Sequence, residues 1–113
     1  MIREKVIFII PGFRQSTTST AYKEIAKVLK SEGYHPILVK IPWKGSTISS
    51  STEYFLKRFN KIDAKKKYIL GFSYGAMIAF LAATKVKTTG LILCSMSPYF
   101  KEDLSKSNIR GMS

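Results

Sequence analysis

"KYILGFSYGAMIAFLAA", residues 67–83, joins a short apolar run to an alanine-rich stretch through Gly71-x-Ser73-x-Gly75. The run "KYILGF" has the length and apolarity of a buried strand. The segment "YGAMIAFLAATKV" is apolar on nearly all sides, as a buried helix is. A serine between two glycines at such a junction can occupy a sharp strand-to-helix turn that pushes its hydroxyl out at the sheet edge. At ordinary glycine and serine frequencies the spacing recurs by chance in roughly 4% of chains this long, so the strand before it and the helix after it carry the weight. Gly71 and Gly75 flank the turn where a side chain would strike neighbouring backbone. Ser73 is the candidate nucleophile, placed where free helix N–H groups favour developing negative charge.

Working outward, "VIFII" at residues 6–10 is a continuous apolar run closed by Pro11-Gly12, the pattern of a strand buried on both faces of a parallel sheet. A polar stretch leads to "AYKEIAKVLKSEG", where Tyr22, Ile25, Ala26 and Leu29 fall at helical spacing and Gly33 ends the helix. "HPILVKI", residues 35–41, reads as a second strand closed by Pro42. After the loop "PWKGSTISS", Ser50 with Glu53 fits a capping box for the helix carrying Phe55, Leu56, Phe59 and Ile62. "TGLILCS", residues 89–95, is a fourth strand. The order β-α-β-α-β-α-β predicts an α/β fold of three layers, α/β/α, with a central, mostly parallel sheet of about four strands. The chain reads as one domain over 1–113, with a polar tail at 101–113.

The 113 residues hold 19 Lys+Arg against 7 Asp+Glu, a formal net charge of +12 that concentrates anions of any kind near the surface without selecting one. Only Lys65 to Lys67 form a tight basic run. No RNA- or DNA-binding motif and no nucleotide-binding glycine pattern occurs, which argues against nucleic acid and nucleotide partners. A lone cysteine, Cys94, in the apolar "LILCSMS" reads as a structural thiol, and no metal or cofactor is expected. The first apolar run is too short for a membrane span or a signal peptide, so the default expectation is a cytoplasmic protein without a membrane span.

An oxyanion hole needs two N–H donors, one from the residue after the nucleophile and one from the loop after an earlier strand. Tyr74 fills the first place. Phe13, in the loop opened by Pro11 and Gly12, is the expected second donor. With "VIFIIPGF" as strand and oxyanion loop, "LGFSYGA" as nucleophile elbow and "GLILCSMSP" as the following strand, the chain resembles the α/β-hydrolase family over about residues 5–100. Family members more often have His-Gly where this chain has Pro11-Gly12, a mild departure because the backbone supplies the donor. The resemblance implies a partial α/β-hydrolase fold and a serine hydrolase acting on a small-molecule ester, thioester or amide. The loop "PWKGSTISSS" and the residues around Tyr99 and Phe100 are expected at the pocket mouth.

In that family an acid and then a histidine follow the serine, yet the one histidine of this chain, His35, precedes it. A parallel sheet puts strand starts and strand ends on opposite edges, so His35 is expected far from Ser73. Glu102 and Asp103 follow the fourth strand, and Asp103 is the better-placed candidate acid. The expectation is an incomplete hydrolase domain, an N-terminal portion of a longer protein or a truncated product. Missing C-terminal strands or a partner chain would then supply the rest, leaving "LILCS" as an apolar edge and Ser73 unactivated. The alternative is a non-catalytic basic α/β domain that binds an anionic partner.

Overall fold

A computed structural model of the chain describes residues 2–95. Four strands and three helices alternate: β1 Arg3–Ile10, α1 Thr20–Ser31, β2 His35–Leu38, α2 Ile48–Lys61, β3 Ala64–Phe72, α3 Tyr74–Ala83 and β4 Gly90–Cys94. The strands form one all-parallel sheet in the order β2-β1-β3-β4. The three-layer α/β fold follows from how β1 alternates. Val6, Phe8 and Ile10 join Phe55, Phe59, Ile78 and Ala79 of α2 and α3 in one core. Ile7 and Ile9 join Tyr22 of α1 in a second core on the opposite face. Every residue from Val6 to Ile10 is buried, which is why the run lacks the polar alternation of a half-exposed strand.

The larger core centres on Phe8, whose ring meets Phe55 edge-on at 5.6 Å between centroids and Phe59 at 5.1 Å. Rings packed this way add about 1 kcal/mol each beyond their buried area, enough to fix how α2 lies on the sheet. Gly33, at φ 96°, terminates α1 as its position suggests. The start of α2 differs from expectation. Its N-cap is Thr47, whose side chain accepts from the Ser50 amide while the Ser50 hydroxyl accepts from the Thr47 amide. Ser50 therefore closes the capping box rather than opening it.

The topology has a switch point. From β1 the chain moves to β2 on one side, then returns past β1 to β3 and on to β4 on the other. The order reverses between β1 and β3, and in open parallel sheets ligands bind outside the carboxyl ends of the strands at such a reversal. Ile10 of β1 pairs with Gly71 of β3, so both strands end at the same edge. At the other flank, β4 is the last strand among the described residues. Ile92 and Leu93 are nearly half exposed there, and Leu93 joins Met77, Phe80 and Leu81 around an apolar hollow.

Candidate active site

Ser73 lies between β3 and α3 with φ 54° and ψ −118°. A non-glycine residue in that region is strained by roughly 1–3 kcal/mol and persists only when its surroundings over-determine it. Three contacts do so here. The Ser73 amide donates to the Cys94 carbonyl at 2.7 Å, tying the turn to the end of β4, and the Ser73 carbonyl accepts from the Ala76 amide at 2.9 Å. On the third side the first turn of α3 is pressed against β1. A Cβ on Gly75 would run into the carbonyl oxygens of Ile10 and Pro11, and one on Gly71 would lie 2.5 Å from the Gly75 carbonyl oxygen. The two glycines permit close approach, while Ser73 takes the unusual backbone angle. Ser73 is exposed, at the edge where β1 and β3 end, and its side chain does not cap α3.

The loop after β1 is held as firmly. The Gly12 amide donates to Gln15 Oε1 and to the Tyr22 hydroxyl, each at 3.0 Å. The Tyr22 hydroxyl itself donates to Gln15 Oε1, and the Gln15 amide returns to the Gly12 carbonyl at 3.0 Å. Arg14 occupies the left-handed region at φ 61° within this turn. Because the Gly12 amide is turned inward, the next donor along the loop is the Phe13 amide. The Phe13 ring lies 5.3 Å from that of Tyr74 and 5.4 Å from that of Trp43, and Trp43 and Tyr74 are 5.8 Å apart. Three rings from three different strand ends thus meet beside Ser73.

Ser73, Tyr74, Gly71, Gly75, Gly12 and Phe13 are brought together, and His35 is not. His35 pairs with Val6, which also pairs with Lys67. Ser73 lies six residues beyond Lys67, a separation of about 20 Å along the sheet. The His35 imidazole is held below its ordinary pKa by burial first, then by the Arg3 and Lys30 charges. Glu102, Asp103, Tyr99 and Phe100 lie outside the described residues. Cys94 is half-buried, packed with the α1-side core, and its carbonyl serves the elbow.

The basic run is divided among different duties. Lys67 turns inward, its ammonium donating to the Phe59 carbonyl at 2.7 Å and lying 4.4 Å from the centre of the Phe59 ring. Burial lowers its pKa, with Asp63 opposing the shift. Lys65 lies 3.7 Å from Glu4. Among the described residues no group of three or more His, Cys, Asp or Glu side chains could hold a metal, and no helix is long and apolar enough to cross a membrane.

No protein-family model and no curated protein matches this chain. Tyr22 and Gln15 were not singled out by the sequence pattern as site residues, and Trp43 entered only as part of the loop "PWKGSTISSS" expected at the pocket mouth. A signal for Trp43 existed, since a parallel sheet delivers the segment after every strand to one edge, and Pro42-Trp43 closes the apolar run "HPILVKI" as Pro11-Gly12 closes "VIFII".

Proposed function

We propose that the chain carries the nucleophile and oxyanion hole of a serine hydrolase of the α/β-hydrolase type, acting on an ester, thioester or amide. The observation that carries this reading is the Ser73 backbone, φ 54° and ψ −118°, at a strand-to-helix turn where the residue is exposed at the edge on which β1 and β3 end. Strain of this kind, held by two glycines and three strand ends, is a recurrent way of presenting a reactive hydroxyl. In the proposed step Ser73 Oγ attacks the carbonyl carbon and its proton passes to a base. The oxygen that becomes negative is met by the Phe13 and Tyr74 amides, and expulsion of the leaving group gives an acyl-serine that water then cleaves. The only histidine of the chain is at the wrong edge to be that base, and Asp103 remains the candidate acid.

A fluorophosphonate probe tests the reading directly. It should label the full chain at Ser73, faster when free imidazole is added as a substitute base, and Ser73→Ala should remove the label. Failure to label with or without imidazole, or labelling that survives Ser73→Ala, would sink the proposal.

A further inference from the structure

Beside the aromatic trio lies a cleft of about 340 Å³, lined by Arg14, Gln15, Ser16, Thr17, Thr18, Lys40, Ile41 and Trp43. We propose that it seats the anionic head, a phosphate or carboxylate, of a ligand whose apolar part lies over Phe13, Trp43 and Tyr74. This deepens the hydrolase reading, and rests on it only in making that ligand the substrate of Ser73.

Four observations converge. The lining holds two cations and no carboxylate, and among the described residues neither Arg14 nor Lys40 forms an ion pair. Its hydroxyls are pre-set: Ser16 and Thr18 share a hydrogen bond of 2.6 Å, and the Thr18 amide donates to Ser16 Oγ at 3.1 Å. The helix α1 opens two residues after Thr18, which lines the cleft, with no acidic residue in its first turn and no side-chain cap. The positive end of that helix therefore adds to the two cations. Lastly, the cleft is continuous with the rings beside Ser73. Trp43 lines it and packs against both Phe13 and Tyr74, while the Arg14 guanidinium, also lining it, lies 5.1 Å from the Phe13 ring centre.

A second lysine-bearing cleft, lined by Lys65, Lys67 and Lys87, is less suited. Its Lys67 ammonium is taken by the Phe59 carbonyl, Lys65 lies beside Glu4, and it opens at the far edge of the sheet. It supplies the control.

Trp43 is the only tryptophan of the chain, so its emission reports the site without a label. Hexyl phosphate, hexanoate and hexanol would be titrated separately against the full chain. At least one of the two anions should change the emission saturably, at a concentration about tenfold lower than hexanol, and the tighter of the two identifies the head group. Arg14→Gln and Lys40→Gln, both at exposed positions, should each weaken that anion about tenfold, as expected for loss of one charge-assisted contact. Lys87→Gln should leave it unchanged. Hexanol binding as tightly as both anions, no saturable response to either anion, or equal weakening by Lys87→Gln would overturn the proposal. Ser73→Ala should bind the anion as the wild type does, so loss of the hydrolase reading by the labelling test leaves this result standing, and the reverse also holds.

Discussion

The two edges of the sheet use similar side chains to different ends. At the edge where strands begin, Lys5 lies 4.4 Å from the centre of the Tyr34 ring, and Tyr34 meets Tyr68 edge-on at 5.2 Å. At the edge where strands end, Arg14 lies on Phe13, and Phe13 meets Tyr74 and Trp43. Cations and ring pairs occur at both, so composition does not distinguish them. Backbone does. Among the described residues, only at the second edge do two non-glycine residues, Ser73 and Arg14, hold positive φ, and only there does a helix meet a strand closely enough that a Cβ would strike main-chain oxygen. At the second edge the close approach is to main chain, whereas at the first a Cβ on Gly90 or Gly33 would meet only side-chain atoms.

A glycine from each edge gives the largest expected contrast. In a helix interior, glycine to alanine gains about 1 kcal/mol from propensity. At Gly75 the added Cβ meets the carbonyl oxygens of Ile10 and Pro11, and neither backbone can yield without parting α3 from β1. The collision should win, with Gly75→Ala destabilising by about 3 kcal/mol. Gly33→Ala meets only the end of the Lys5 side chain, at 3.6 Å, and costs only the positive φ, about 1 kcal/mol. Urea unfolding of the two variants measures both. Equal losses would mean that the close packing at the elbow is not what distinguishes the edges.

A smaller effect of opposite sign sharpens the point. If strain is held at Ser73, then Ser73→Gly removes it and should stabilise the chain by about 1 kcal/mol, after allowance for the greater freedom of glycine in the unfolded state. Ser73→Ala keeps the strained φ and should leave stability nearly unchanged. A denaturant midpoint that falls in Ser73→Gly would show that the hydroxyl, and not the backbone, is what the fold depends on.

The element order and the strand-to-helix turn at Ser73 were legible because each rests on a strong local signal: continuous apolar runs for two-sided strands, and a Gly-x-Ser-x-Gly at a change of period. His35 at the far edge was legible too, since parallel pairing fixes where a strand start must lie. Less readable were the limits of elements set by tertiary contact. β2 ends at Leu38 although Val39 and Ile41 are apolar and buried, and beyond that point a single bond from the Val39 amide to the Ile9 carbonyl ties this segment to β1. β3 begins at Ala64, through the three lysines, because Arg3 to Lys5 of β1 offer a paired partner outside the core. The aromatic trio draws on two loops and the first residue of α3, far apart in sequence, and no window along the chain contains it.

The smallest expected effect belongs to the far edge, where His35 is held below the ordinary imidazole value by burial and by Arg3 and Lys30. Between its folded pKa and the unfolded value near about 6.5, the unfolded chain binds the more protons, so stability rises with pH across that window. The contribution is therefore full above the unfolded value and is lost as pH falls through the folded one. The site is partly open to solvent, and screening keeps the effect slight. His35→Gln should flatten the slope of unfolding free energy against pH just below that value, while the rate of fluorophosphonate labelling at Ser73 stays that of the wild type, since about 20 Å of sheet separates the two groups. A labelling rate that follows the His35 titration would place the imidazole in the site and erase the division between the two edges.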